Sequence, residues 1–356
     1  PGLRTDTARI DSVPPAISDV AVKTCNGQSV EITWTTDENA NSVVHWGTTP
    51  SYGNTVSNLT LTTSHSVEFD GLDMNALHYH EVCSADEPGN TRCSGPYNFT
   101  TPEIFTPPKN HAGYVAEYTL GVVLDYYKMP TGHDAAYGTR HGVFQFDLTS
   151  LPSDVYITSV QLVIFKHDDQ LNPSQQDVWS SNLIDFEGDL RSVGTYQNVH
   201  NAPILVTMSP TWSSAQLDSD PPGTAYPQTI SDPDDLTYFN PHGHRADRLT
   251  FRLDGATTGS SVMSWDTGYR QDLGSLGVCY KPALTITYGH AGVLEFDQGR
   301  YKATDPLTVT LNDADLSGAG EVNIMLTSER TGDFETARLA EFNAPSGVFK
   351  GSFPCD

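Results

Sequence analysis

The pattern of apolar and polar residues predicts short β-strands along the whole chain. At its centre lies VFQFDLTSLPSDVYITSVQLVIF, where apolar and polar residues alternate over 143–147, a turn follows at 148–152, and a β-branched run fills 157–165. Alternation at period two is typical of a half-buried strand. The segment therefore predicts a hairpin, and the continuous run VQLVIF predicts that its second strand is covered on both faces.

The same pattern divides the chain into segments. Residues 1–13 lack periodicity and are expected to form an extended arm. Residues 14–101 contain seven predicted strands, and the proline-rich segment 102–109 is expected to be a stiff linker that holds its neighbours apart. A second β-domain with long loops spans 110–289, and a third spans 290–356. The predicted fold class is all-β, with three β-sandwich domains in tandem.

The first of these domains carries the motifs VEITWTTDENANSVVHWGTT, HSVEFDGL and LHYHEVCSADEPGNTRCSGPYNFTT. In these motifs it resembles a fibronectin type III domain of the kind found in bacterial and archaeal surface proteins and secreted enzymes. The resemblance implies that Trp34 is the core tryptophan and that Leu72 and Tyr79 occupy the tyrosine corner. Such domains are usually spacers or interaction modules. The phosphatase motifs GDxxY and GNHE, which follow this domain in purple acid phosphatases, are absent from the sequence.

The other two domains also resemble modules of secreted proteins. The pattern AAYG, FQFDLTSLP, ITSVQLVIF and KPALTITY resembles DNRLRE-type jelly rolls, which are carbohydrate-binding-like β-sandwiches. The C-terminal phrases LTVTLNDADL, GDFETARLAEF and SGVFKGSF resemble the immunoglobulin-like repeats of prokaryotic surface and adhesion proteins. Because those repeats often continue with another strand, the resemblance implies that the domain at 290–356 is one strand short. Together the resemblances imply an extracellular or cell-surface location.

Charge restricts the choice of partners. The 356 residues contain 44 acidic and 19 basic side chains, which gives a formal net charge of −25. An acidic surface of this kind repels nucleic acids and anionic membranes, so both are excluded as partners. No apolar stretch approaches the roughly 18–20 residues that a membrane span requires. The same surface attracts divalent cations.

Five cysteines predict at least one disulfide. Cys83 and Cys93 flank the turn segment DEPGN, which would place them opposite each other across a hairpin in an oxidising compartment. Two reduced thiols in a cytosolic β-protein are the alternative. Among Cys25, Cys279 and Cys355, at least one has no partner within the chain, and the near-terminal Cys355 is the best candidate for an intermolecular bond.

The segment NDADLSGAGE at 312–321 is the candidate calcium loop. Asp313, Asp315 and Ser317 occupy alternate positions before a glycine, and Glu321 follows, as in the front of a DxDxDG loop. Ile324 stands where the bidentate glutamate of such a loop would be, so a solvated turn is favoured over a calcium site. Calcium is the candidate cofactor of the alternative interpretation.

Two further clusters of potential ligands occur in the central domain. Acidic residues crowd the segment SDPDD at 231–235, where an exposed loop is favoured and a cation site is the alternative. His242 and His244 alternate, and together with His133 and His141 they suggest a transition-metal site. Isolated surface histidines are the competing interpretation.

Aromatic residues of the central domain are candidates for a sugar-stacking surface, against the alternative that they fill the core. The candidates are Tyr126, Tyr127, Tyr137, Trp179, Trp212, Tyr226 and Tyr269. The first domain contains two glycosylation sequons, Asn58-Leu59-Thr60 and Asn98-Phe99-Thr100, which also occur by chance.

No nucleophile–base motif accompanies these features, so the chain is predicted not to be an enzyme. The leading hypothesis is a structural subunit of an extracellular filament or surface assembly, in which copies of the chain are joined by strand exchange. The alternative is a carbohydrate-binding accessory region of a larger secreted polysaccharide-degrading enzyme.

Overall fold

A computed structural model shows a protein built almost entirely of strands, which confirms the predicted all-β class. It describes residues 11–108, 111–119, 121–124, 126–152, 155–172, 174–239, 248–269, 274–290, 292–298, 306–313, 316–327 and 334–354. Contacts group the chain into two compact units. One unit comprises 1–150, 160–235 and 246–286, and the other comprises 151–159, 236–245 and 287–356. The three predicted domain boundaries stay a prediction.

The first sheet contains five strands rather than the seven predicted. Two pairs of predicted strands are continuous, because the polar segment around Ala40 remains extended and absorbs a register shift instead of turning. The order is β1-β2-β4-β5, with β3 also pairing with β2. The strands are β1 Ile17–Asn26, β2 Ser29–Gly47, β3 Asn54–Asp70, β4 Leu77–Ala85 and β5 Thr91–Thr100.

Alternate residues of these strands form the core of the first sheet. Trp34 is 1% exposed, donates from Nε1 to Ser84 Oγ (2.9 Å) and stacks on His65 with ring centroids 4.8 Å apart. Leu72 is buried and Tyr79 is half-buried. A disulfide joins Cys83 to Cys93 across paired strands β4 and β5, which is the pair that the hairpin predicted.

The central sheet contains 13 strands. Its longest path runs β13-β12-β16-β10-β9-β17-β11-β18-β6, with β7, β8, β14 and β15 paired off this path. The strands are β6 Ile104–Phe105, β7 Ala112–Ala116, β8 Val123–Leu124, β9 Lys128–Asp134, β10 Gly138–Asp147, β11 Val155–Gln170, β12 Val178–Ile184, β13 Ile204–Thr207, β14 Trp212–Ser213, β15 Ala225–Ile230, β16 Arg248–Asp254, β17 Ser261–Asp266 and β18 Ala283–His290. Within the described residues, four α-helices lie between them, α1 Leu190–Val193, α2 Tyr196–His200, α3 Ser214–Ser219 and α4 Pro233–Leu236, and so does a 3-10 helix at Val278–Tyr280.

The two strands predicted to form the central hairpin have other partners, so that prediction is wrong. β10 pairs with β7, β9 and β16, whereas β11 pairs with β15, β17 and β18. The predicted turn itself is present: Thr149 and Ser150 form an exposed turn, while Leu148 beside them is fully buried. The second strand is also not covered on both faces: Val160, Leu162 and Ile164 are buried, while Gln161 between them is exposed.

Two segments expected to be irregular contain regular structure. The predicted long loop at 209–235 holds β14, α3, β15 and α4. The predicted linker contributes β6, whose Phe105 is paired with Leu284 of β18 and is 2% exposed. The segment predicted to be a linker thus contributes an apolar pair, Ile104 and Phe105, to the central sheet.

The first and central sheets are joined covalently and by polar contacts. A disulfide links Cys25 to Cys279, and Lys281 Nζ lies 2.9 Å from Asp70 Oδ2. The backbone N–H of Val278 donates to Glu68 Oε2 (3.2 Å), and burial raises the pKa of this glutamate. The remaining cysteine, Cys355, lies outside the described residues, and so does most of the predicted arm.

The last sheet has the strand order β19-β20-β23-β22-β21. Val309, Leu339 and Phe349 form its buried core. The strands are β19 Val293–Phe296, β20 Pro306–Asn312, β21 Glu321–Thr327, β22 Phe334–Glu341 and β23 Val348–Pro354. Within the described ranges, no helix has the length and apolar character needed to cross a bilayer.

Candidate functional site

A groove of about 320 Å³ crosses the central sheet over β9, β17 and β11. Its floor follows from strand alternation: Lys128 and Pro130 of β9 face it together with Val262 and Ser264 of β17, and the residues between them are buried. Pro130 is paired with Ser264, which in turn is paired with Asp168 of β11. A register shift in β11 between Lys166 and Asp168 brings consecutive polar residues into the lining.

Three tyrosines form the aromatic part of the lining. Tyr114 comes from β7, Tyr126 precedes β9, and Tyr137 lies in the turn between β9 and β10. The rings of Tyr114 and Tyr126 are 5.8 Å apart in an edge-to-face arrangement, and the Arg140 guanidinium lies 4.9 Å from the centre of the Tyr137 ring. Partly exposed rings beside a polar floor provide flat apolar faces at the surface of an otherwise charged groove.

Each of the three carboxylates in the groove lining pairs with a cation. Lys128 Nζ lies 2.6 Å from Asp168 Oδ2, and Arg140 pairs with Asp134. Asp169 pairs with Lys166, a residue only 2% exposed. These pairs hold the polar side chains of the groove in fixed positions, because each charge has a neighbour of the opposite sign.

Two groups of the groove, Asp168 and Tyr126, each keep one ionisation state around neutral pH. Burial raises the pKa of Asp168, but hydrogen bonds from His167, Lys128 and Ser264 outweigh it and hold that pKa well below its usual range. A hydrogen bond with Tyr127, together with burial, raises the pKa of Tyr126 to about 12. The aspartate therefore remains ionised and the phenol remains neutral over the physiological range.

The sequence identified part of the aromatic lining. Of the seven predicted aromatic residues, Tyr126 and Tyr137 line the groove. Trp179, Trp212 and Tyr226 are at most 4% exposed and belong to the core, which is the competing interpretation. The other two lie elsewhere: Tyr127 packs beside His167, and Tyr269 donates its hydroxyl to Pro107 O. Sequence reasoning missed Tyr114 and the ion pairs, although alternation in KMPTGHD could have indicated Lys128 and Asp134.

The predicted histidine site divides into separate environments. His133 Nδ1 hydrogen-bonds to Gly259 O (2.7 Å). His141 Nδ1 lies 2.6 Å from Asp254 Oδ1, and its Nε2 lies 2.9 Å from Nδ1 of His200, a residue that was not predicted. His242 and His244 lie outside the described residues.

The predicted calcium loop is organised by a carboxylate that the sequence reasoning missed. Glu341 accepts backbone N–H groups from Gly318, Gly347, Ser346 and Gly320 at 2.8–3.1 Å, and these bonds lower its pKa to about 2. The four predicted calcium ligands have separate surroundings. Glu321 pairs with Arg338, and the Ser317 side chain is exposed. The Asp313 backbone N–H donates to Gly347 O, and Asp315 lies outside the described residues. Calcium binding remains a prediction.

Two further acidic groups differ in their setting. In the segment 231–235, Asp232 Oδ1 accepts the backbone N–H of Asp234 at the start of α4. At the edge of the first sheet, carboxylate oxygens of Glu38 in β2, of Asp11 before β1 and of Asp86 after β4 lie within 4.8 Å of one another. Burial and these neighbouring carboxylates raise the pKa of Glu38.

The fold and groove define an all-β protein with an aromatic, charge-paired surface groove. No family model matches the chain, and no curated protein matches it. Solved structures similar to it include chitinase ChiA74 from Bacillus thuringiensis, with a TM-score of 0.22 and 15% identity over 72% of this chain and 30% of that one. Another is the alpha-L-rhamnosidase from Dictyoglumus thermophilum, with a TM-score of 0.21 and 9% identity over 92% of this chain and 30% of that one. The FN1–FN3 domains of chicken CNTN1 are also similar, with a TM-score of 0.21 and 9% identity over 96% of this chain and 88% of that one. The chain spans less than a third of the two enzymes, and at these scores its function must be argued from its own residues.

Proposed function

We propose that the groove on the central sheet binds a neutral oligosaccharide. The observation that carries the proposal is the combination of three tyrosines, Tyr114, Tyr126 and Tyr137, with a floor of fixed polar side chains. Sugar rings present apolar C–H faces and a rim of hydroxyl groups, and aromatic faces beside paired carboxylates and cations match both features. The volume lies near the lower end of the range of about 300–1,000 Å³ for ligand pockets, which suits a short stretch of sugar units.

Charge supports a neutral ligand over an anionic one. The three acidic residues of the lining are balanced by Lys128, Arg140 and the adjacent Lys166. When His167, which lies 3.2 Å from Asp168, is neutral, these three pairs leave no surplus of positive charge for a uronate or sulfate group. The chain as a whole carries a net charge of −25, which repels polyanionic glycans over a longer range.

The groove supports recognition rather than chemistry. General acid catalysis of glycoside hydrolysis requires a carboxyl group that stays protonated near the working pH. Asp168 is held ionised, and Asp134 and Asp169 are each paired with a cation. This arrangement is the basis for proposing a carbohydrate-binding accessory region of a larger secreted polysaccharide-degrading enzyme.

The substitution Tyr126→Ala tests the groove. It should weaken binding about tenfold, because the lost stacking contact is worth about 1–1.5 kcal/mol. Affinity electrophoresis through gels containing soluble neutral polysaccharides, followed by a glycan array, measures the effect. Tyr118→Ala is the matched control, since Tyr118 is 65% exposed and lies outside the lining. Equal retardation of the two variants, or binding of sulfated glycans alone, would exclude the groove as a neutral-sugar site.

A second candidate function is self-association into an extracellular filament or surface assembly. β19 lies at one edge of the last sheet and exposes Val293, Leu294 and Phe296 at 51%, 42% and 51%. An edge strand with exposed apolar side chains is suited to pairing with another chain. In the filament hypothesis, copies of the chain would be joined by strand exchange at this edge.

The substitution Phe296→Lys tests self-association, because a charge on an edge strand opposes strand pairing. The wild-type chain should form concentration-dependent assemblies in light scattering and ordered fibres in negative-stain electron microscopy. Phe296→Lys should shift both toward the monomer, whereas Tyr118→Lys should leave them unchanged. A wild-type protein that is monomeric at every concentration would rule out the filament.

A further inference from the structure

The sequon Asn58-Leu59-Thr60 lies on an irregular part of β3. Asn58 is paired with Ser42 and Thr62 with Ala40, so three residues of β3 stand opposite Asn41 alone. The Asn58 side chain turns back on this bulge, where its Oδ1 accepts the backbone N–H of Thr60 (3.0 Å). The carboxamide oxygen is thereby fixed, and the Nδ2 amide group lies on an exposed residue.

The surroundings of Asn58 combine exposed apolar groups with a polar depression. Leu59 is 76% exposed and Leu61 is 42% exposed, on a strand whose only partner among the described strands is β2. Such an edge is a liability for aggregation unless something covers it. Beside it lies a groove of about 270 Å³, lined by Val56, Ser57, Asn58, Ser66, Val67 and Glu68.

We propose that Asn58 is N-glycosylated and that its first sugar lies in this groove. The donor is a lipid-linked sugar phosphate: a bond forms between Asn58 Nδ2 and the anomeric carbon, and the bond from that carbon to the phosphate oxygen breaks. The lipid phosphate leaves with the electron pair, and the amide proton passes to a base of the transferase. The hydroxyl groups of Ser57 and Ser66 and the carboxylate of Glu68 give the attached sugar hydrogen-bonding partners.

The second sequon provides an internal contrast. Asn98 is also exposed, but the residues 97–100 pair in unbroken register with β4. The middle residue, Phe99, packs against the core of the first sheet. A transferase must draw the acceptor backbone into its own site, and at Asn98 this would break the ladder and expose Phe99. Asn58 should therefore be modified and Asn98 should not.

Mass spectrometry of the full-length protein from its native source tests the proposal. After reduction, trypsin cleavage at Lys23, Arg92 and Lys109 separates peptide 24–92, which holds Asn58, from peptide 93–109, which holds Asn98. Peptide 24–92 should carry added hexose or N-acetylhexosamine mass, and peptide 93–109 should have its unmodified mass.

Two variants expressed in the same source complete the test. Thr60→Val removes the sequon hydroxyl at nearly constant volume on an exposed position, so it should abolish the added mass without unfolding the chain. Asn98→Gln should leave the added mass unchanged. An unmodified peptide 24–92 in the wild-type protein, or added mass that persists in Thr60→Val, would overturn the proposal.

Discussion

Replacing both cysteines of the Cys25–Cys279 disulfide with serine should destabilise the protein far more than removing the Cys83–Cys93 disulfide. The first bond closes a loop with a sequence separation of 254, and the second closes one of 10. A cross-link restricts the unfolded chain, and the restriction grows with the logarithm of loop length. By that relation, the Cys25→Ser/Cys279→Ser variant should lose about 3 kcal/mol more stability than the Cys83→Ser/Cys93→Ser variant.

Urea unfolding followed by tryptophan fluorescence measures the difference, and reductant added to the wild-type protein should lower stability at least as far as the first variant. Two polar contacts lie at the same junction. Lys281 pairs with Asp70, whose side chain is half exposed, and the Val278 N–H donates one hydrogen bond to Glu68. Contacts of this kind contribute too little stability to replace the cross-link. Equal losses in the two serine variants would show that the long-range disulfide adds nothing beyond its local contacts.

Acid should destabilise the first sheet through His80. Its ring is fully buried between Tyr97 and Phe99, and within the described chain neither ring nitrogen has a hydrogen-bond partner. Burial lowers the pKa of His80 from 6.5 to about 4. The unfolded chain therefore takes up a proton below about pH 6.5 that the folded chain refuses until about pH 4. Stability from this residue is complete above pH 6.5 and falls by about 3 kcal/mol as pH drops to 4.

The substitution His80→Leu removes the titrating group and keeps an apolar side chain in the pocket. Free energies of unfolding measured between pH 4 and pH 8 should depend less steeply on pH in the variant than in the wild-type protein. Above pH 7 the two curves should run parallel, separated by a constant offset. Parallel curves over the whole range would show that His80 is not the source of acid sensitivity.

The sequence predicted the strands well, because alternation is local. Leu77–Ala85 and Ser261–Asp266 begin and end where the pattern placed them. Pairing was harder to predict, since it depends on residues distant in sequence. Leu148 looks like a turn residue in VFQFDLTSLP, yet it is buried, and the strands on either side of it pair elsewhere.

Only part of the candidate groove could be predicted from the sequence, because its lining also depends on strand pairing. Tyr126 and Tyr137 were candidates on composition, but so was Trp179, and only the paired strands show that the tryptophan ring lies in the core. The pairing of Lys128 with Asp168 depends on β9, β17 and β11 lying side by side, which no spacing in the sequence encodes.

The position of β6 has a consequence for how the protein is made. Ile104 and Phe105 leave the ribosome early, but their partners in β18 are synthesised near the end of the same unit. Cys25 must likewise wait for Cys279 while Cys83 and Cys93 are already available. Synthesis from the N-terminus thus leaves Cys25 and β6 without their partners until β18 has been made. We therefore expect Cys25 to be at risk of mispairing with Cys83 or Cys93 during oxidative folding.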